Sequence, residues 1–136
     1  MLTGFIKITF AGKDQQKPLA LKGVFYRGLT LIYSANPFLS KDYAVGYATA
    51  SSPKGPWKKF SGNPILRRDK PASSGLVGIG HGAPFISADG SYKYIYHAHA
   101  SMNNVGPRSS YINDLNISED GAISIGGETI RPSVIR

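Results

Sequence analysis

Apolar and polar residues alternate with a period of two along most of the 136-residue chain, and no segment holds a 3.6-residue period over three turns. Gly4 to Phe10 reads as a strand, with Phe5, Lys7 and Thr9 on one face and Ile6, Ile8 and Phe10 on the other. Ala11 to Pro18 is polar and reads as a loop. Leu19 to Tyr26 and Leu29 to Ala35 are apolar runs joined by Arg27-Gly28, a tight-turn signal. Asn36 to Asp42 reads as a loop, Tyr43 to Ala50 as a strand, Ser51 to Pro56 as a strong turn, and Trp57 to Phe60 as a short strand. After a long loop, Ser61 to Gly78, the pattern returns. Strands are predicted at Ala83 to Ser87, Tyr92 to Ala100, Ser109 to Ile117 and, briefly, Ala122 to Ile125, with turns at Ala88-Asp89-Gly90 and Glu119-Asp120-Gly121.

The two halves repeat. Leu31 to Ala35 matches Tyr94 to Ala98 at an offset of 63, and Gly55-Pro56-Trp57 matches Gly121-Ala122-Ile123 at an offset of 66. Each unit is a four-stranded antiparallel meander, which at this repeat length is the pattern of a propeller blade. The predicted fold is therefore all-β, two four-stranded blades of a partial β-propeller. Two blades cannot close a ring, so their faces need cover from further blades, from other copies, or from each other as a sandwich.

Composition supports this class. Sixteen Gly, nine Pro and eight Tyr favour turns and strands over long helices. The absence of cysteine excludes a disulfide framework, thiolate zinc sites and a Cys nucleophile. The net charge of +8 raises the question of nucleic acid. However, the basic residues are scattered, the densest groups (Lys58-Lys59 and Arg67-Arg68 with Lys70) fall in turn-rich stretches, and no RNA-binding aromatic signature surrounds them. A solvated basic surface is the expectation, with no nucleic-acid partner and no membrane partner. No run approaches the roughly 20 apolar residues of a membrane span, and Met1 to Phe10 carries no export signal.

Four stretches then carry a family resemblance: Tyr33 to Asn36, Asp42 to Ala50, Ser52 to Trp57 and Asn63 to Leu66. In this order and spacing they closely resemble one blade of glycoside hydrolase family 43. Gly78-Ile79-Gly80-His81-Gly82, followed by Asp89-Gly90, Tyr96 to His99, Pro107-Arg108 and Glu119 to Gly121, resembles that family's last blade. The resemblance covers roughly residues 23 to 130. It divides the chain into a divergent N-terminal segment (1–22), a penultimate-like blade (23–62), a loop (63–78) and a last-like blade (79–136). It implies a five-bladed β-propeller and an inverting hydrolase of arabinose- or xylose-containing polysaccharide, using an Asp base, a Glu acid and a second Asp. An acid and a base must flank the glycosidic bond with room for water.

The chain has eight carboxylates: Asp14, Asp42, Asp69, Asp89, Asp114, Glu119, Asp120 and Glu128. The family's two aspartates belong to regions with no counterpart here. Its Glu-Gly-Pro acid motif is replaced by Lys22-Gly23-Val24, which puts a lysine near the acid position. Asp89 and Asp120 sit in Asp-Gly turns, Asp14 and Asp69 in polar loops, and Asp42 before a strand as a cap or turn residue. Asp114 lies in a strand and could face a pocket, but one carboxylate is not a pair. No catalytic residue is assigned.

His81 stands first among the remaining candidates, because Gly80 and Gly82 let the backbone approach other groups there. The resemblance implies that it lines the central channel beside a bound metal, commonly Ca2+, or its water shell. The plainer reading is a histidine hydrogen-bonded within a turn. His97 and His99 form a His-X-His on one predicted strand face and with His81 offer three imidazoles for a transition metal. The plainer reading there is packing between strands. Arg108 matches an arginine that the resemblance places on substrate, and its planar donor fork suits sugar hydroxyls. Trp57 is expected to pack in its blade, and Tyr33, Tyr43, Tyr47, Tyr94 and Tyr96 to be mostly core. The expectation is a family 43-like piece without its acid–base pair, meeting a plant-type polysaccharide or oligosaccharide. The alternative is a non-catalytic carbohydrate-binding or self-associating module, whose copies would cover the open blade edges as a homo-oligomer.

Overall fold

The computed structural model describes residues 7–9, 29–73 and 75–135. The strand expected at Leu19 to Tyr26, the Arg27-Gly28 turn, Asp14 and Lys22 lie outside the described residues. Two four-stranded antiparallel sheets form, each a meander in sequence order. The first comprises β1 (Lys7–Thr9), β2 (Leu29–Ala35), β3 (Ala44–Ala50) and β4 (Lys58–Lys59). The second comprises β5 (Gly80–Ile86), β6 (Tyr92–Ala98), β7 (Ser109–Ile117) and β8 (Ile123–Ile130). A short 3-10 turn, Pro71–Ser73, lies between them. No helix among the described residues is long and apolar enough to cross a membrane.

The period-two pattern becomes burial directly. Along β2 and β6, buried and half-buried residues alternate, so Ile32, Tyr94, Tyr96 and Ala98 point inward. β3 departs from alternation because both of its faces are covered, and only Thr49 is half-exposed. One core joins the sheets, with Val45, Tyr47 and Leu66 from the first half meeting Tyr94, Tyr96 and Leu115 from the second. Each large apolar side chain buried there contributes on the order of 1.5–3 kcal/mol.

The blades are also tied through hydrogen bonds. Gly78 N–H donates to Lys41 O and Ile79 N–H to Tyr43 O, both at 3.1 Å. Ile123 N–H donates to the Tyr47 hydroxyl oxygen at 3.2 Å. The stretch predicted as loop from residue 63 is packed: Ile65 and Leu66 are buried, and Leu66 forms an isolated bridge with Val45. Asn63 anchors it by accepting from Tyr47 N–H at 3.0 Å and donating to Tyr47 O at 2.8 Å.

Several predicted boundaries move. β4 contracts to Lys58–Lys59, although Phe60 N–H still donates to Tyr47 O. β5 begins at Gly80, earlier than expected, because a bulge between Gly80 and Ala83 absorbs the Gly-His-Gly step. β8 runs to Ile130 rather than ending at Ile125. Gly126-Gly127 looks like a strand stop, yet Gly127 takes φ 72° at a second bulge, where β7 shifts register between Ile112 and Asp114. Asn113 occupies that irregularity. It is 1% exposed, and its side-chain amide faces the carbonyls of Gly126, Gly127 and Glu128 and the Thr129 hydroxyl at 3.0–3.4 Å. Its Oδ1 accepts from the Tyr96 hydroxyl at 2.6 Å.

Candidate functional site

The β5 bulge builds the site. His81 has φ 55°, a left-handed conformation unusual for a residue with a side chain, and its ring is exposed. Its N–H crosses to the other blade and donates to Ser34 Oγ at 2.9 Å. The flanking glycines are steric requirements. A Cβ on Gly80 would stand 2.1 Å from the Tyr43 ring, and one on Gly82 would stand 2.5 Å from Ile95 O and 2.6 Å from the Tyr94 ring. The glycines at Gly80 and Gly82 thus allow close packing on either side of a backbone-strained histidine.

Beside His81 lies a cleft of about 300 Å³ between the blades, walled by Tyr33, Ser34, Tyr43, Tyr94 and Tyr96. It combines aromatic walls with hydroxyls and an imidazole, the mixture expected of a small polar-ligand site. Tyr43, Tyr94 and Tyr96 are core residues as expected, and each also contributes to this wall. Burial pushes the Tyr94 phenol up, and pushes Tyr96 up to about 12. Both therefore remain neutral hydrogen-bonding groups. A larger cavity of about 640 Å³ lies near Phe60, Ala72, Ile117, Ile123 and Ile125. Its walls are mainly apolar, and none of the candidate site residues reaches it.

The three histidines do not converge. His97 is half-buried with its ring 5.7 Å from that of His81. Its pKa is lowered by burial first, then by Arg108 and by His81, and its Nδ1 is buried without a hydrogen-bond partner. β6 ends at Ala98, so strand alternation no longer puts His99 on the His97 face. His99 turns instead onto Phe38, with Nε2 2.8 Å from the Phe38 carbonyl oxygen, and lies over Gly78, where a Cβ would meet the ring at 2.2 Å. Among the described residues no three His, Asp or Glu side chains come within reach of one metal ion. Calcium takes six to eight oxygens. Near His81 the described residues offer hydroxyls and imidazoles but no carboxylate, so they do not by themselves fit a calcium cage.

Arg108 is exposed at the start of β7, with its guanidinium carbon 5.7 Å from the Phe38 ring centroid and its charge felt by His97. His81, His97 and Arg108 therefore occupy one corner. Sequence reasoning did not single out Phe38, because nothing in a polar loop marks one aromatic as held from below.

Four of the carboxylates among the described residues serve other partners. Asp42 pairs with Arg68 at 2.9 Å. Asp114 lines neither of the two cavities described above and pairs with Lys93, directly opposite on β6. Asp89 binds Ser91, and Asp120 binds Ser118 and the Ala122 N–H, and these bonds lower both pKa values. Trp57 is half-buried and donates to Pro53 O at 3.3 Å.

Two successive meander blades, sealed by one core and opening on a tyrosine-walled cleft, define a propeller-type domain of the kind that carries glycosidase sites. Residues 17–123 match the model for glycosyl hydrolases family 43, and the chain belongs to that family. It is 31% identical over 87 residues to an arabinoxylan arabinofuranohydrolase of Bacillus subtilis (strain 168), a match covering 64% of this chain and 16% of that protein. Among solved structures it resembles an endo-1,4-β-xylanase from Bacteroides thetaiotaomicron, with 53% identity and a TM-score of 0.75 over 81% of this chain and 37% of the other. A thermostable family-43 glycoside hydrolase follows at 36% identity and a TM-score of 0.66, over 79% of this chain and 34% of the other. The chain thus spans about a third of the length of these structural relatives and a sixth of the curated one.

Proposed function

We propose that this chain carries a sugar-recognition portion of an inverting family 43 hydrolase acting on arabinose- or xylose-containing polysaccharide, and that it supplies no acid–base pair of its own. The observation that carries this reading is the cleft beside His81, walled by tyrosines and Ser34 with no carboxylate among its described walls. Inversion needs two carboxyl groups on opposite sides of the bond. Here the described carboxylates whose partners are known are bound to Arg68, Lys93 or turn hydroxyls. Arg108 and His81 act as substrate-binding groups through hydrogen bonds to sugar hydroxyls. A channel cation beside His81 would need its oxygen ligands from outside the described residues.

The test pairs binding with turnover. Calorimetric titration with xylotriose and arabinosyl-substituted xylotriose is expected to give weak binding, reduced by Arg108→Met. Aryl arabinofuranoside and xyloside reporters are expected to show no turnover. Turnover that disappears when an Asp or Glu of this chain is replaced would overturn the second half of the reading, and absence of binding would overturn the first.

A second reading, self-association, draws on the exposure of Phe85 and Ile86 at the end of β5, 37% and 57% respectively. Copies would cover this apolar edge, and the solution mass would exceed the 14.6 kDa of one chain. A monodisperse monomer at high concentration would exclude it.

A further inference from the structure

We infer that Phe38 and His99 form a positioning device for Arg108, holding its guanidinium beside the Phe38 ring with N–H donors left for a sugar. This rests on the carbohydrate reading above and deepens it.

Phe38 projects from the loop between β2 and β3 and is 50% exposed. It is held firmly all the same. Asn36, with φ 70°, closes the loop by donating through Nδ2 to Asp42 O at 2.7 Å. Ser40 N–H donates to Pro37 O at 2.9 Å, and Tyr43 N–H to Ser40 O at 3.0 Å. From beneath, the 6%-exposed His99 meets the Phe38 carbonyl at 2.8 Å. That contact requires Nε2 to carry the proton, because a carbonyl only accepts. His99 is fixed in turn by its N–H donating to Val77 O at 2.9 Å and by the bare Cα of Gly78 under its ring.

Arg108 completes the chain of contacts, 5.7 Å from the ring centroid. Both ends of the 99–108 loop therefore bear on one residue, His99 on its carbonyl and Arg108 on its ring. A cation–π contact is an attraction of the charge to the ring and supplies no lone-pair acceptor, so it leaves guanidinium N–H donors for other partners. No described carboxylate forms an ion pair with Arg108, since the described ion pairs are Arg68–Asp42 and Lys93–Asp114. A long side chain that would otherwise sample many rotamers is thus restrained with its donors available, which lowers the entropy lost on binding a hydroxylated ring. Phe38 and His99 act through Arg108.

The test uses the full chain, first without ligand. The side-chain 15N–1H resonance of Arg108 is expected to move in Phe38→Leu, which keeps apolar volume but removes the ring, and to be retained in Phe38→Tyr. The 15N shifts of His99 are expected to report protonation at Nε2, with His99→Gln keeping the donor and leaving Arg108 unmoved. Xylotriose titration is then expected to show about two- to fivefold weaker binding in Phe38→Leu, the size of an exposed cation–π contact. Wild-type affinity is expected in Phe38→Tyr, and no additional loss from Phe38→Leu in an Arg108→Met background. An Arg108 resonance unchanged in a folded Phe38→Leu chain would overturn the inference. So would an affinity loss of the same size with and without Arg108. If the wild-type chain binds no xylotriose while the Arg108 resonance responds as described, the carbohydrate reading fails and the positioning contact stands.

Discussion

Asn113→Ala is the most informative single perturbation of this fold. Asn113 is 1% exposed and fills the β7–β8 irregularity, accepting from the Tyr96 hydroxyl at 2.6 Å and facing the carbonyls of residues 126–128 with its amide. Removing it takes away the acceptor of the buried Tyr96 hydroxyl, whose other side-chain neighbour is Thr129, and costs about 1–3 kcal/mol. The small void left by the missing amide adds about 1 kcal/mol. The carbonyls of Gly127 and Glu128 contribute little, because both residues are exposed and water can replace the amide there. The expected loss is therefore about 2–4 kcal/mol, a large share of the stability of a domain of this size. Urea unfolding followed by tyrosine fluorescence and circular dichroism should show the midpoint fall with little change in slope. Tyr96→Phe should cost about 1–2 kcal/mol alone, and the double variant less than the sum, with a coupling near 1 kcal/mol. A loss under about 0.5 kcal/mol, or strict additivity, would refute the view that the Tyr96–Asn113 bond stabilises this irregularity.

Other consequences are as direct. Gly80→Ala places a methyl 2.1 Å from the Tyr43 ring, so it should cost about 1–3 kcal/mol and disturb the His81 resonances; a neutral effect on both would refute the steric account of the bulge. Tyr47→Phe leaves Ile123 N–H without its acceptor at the blade junction and should destabilise by about 1–2 kcal/mol, with earlier hydrogen exchange at Ile123 as the local sign. Tyr96 is raised from 10.0 to about 12 on folding, so the unfolded chain ionises first. Its contribution is intact below pH 10 and is lost as pH rises towards 12, by up to about 1.4 kcal/mol per unit, which urea midpoints across that range would register and Tyr96→Phe would reduce, leaving the part due to the raised Tyr94. The His97 pKa is lowered, so its contribution is present above pH 6.5 and falls away as pH drops below it; an acid limb of stability unchanged in His97→Gln would exclude this.

Much of this protein was legible before any coordinates. Period-two alternation and the Asp-Gly turns specify an antiparallel meander, since only extended backbone sends successive side chains to opposite faces. The repeat at 63 to 66 residues divides the chain into two blades, and Gly80-His81-Gly82 marks a place where backbone and neighbours come close. The tertiary structure decided what depends on partners distant in sequence. Gly126-Gly127 reads locally as a stop, yet β8 continues because Asn113 supplies hydrogen bonds from another strand. His97 and His99 look equivalent two residues apart, but the end of β6 and the contact with Phe38 send them to different neighbours. Asp114 resembles a free carboxylate until Lys93 is found directly across the ladder. Local pattern determines the element a residue joins, because propensity and alternation act over a few residues. What a side chain can do is set by which residues the blades bring against it, and alternation carries no record of those.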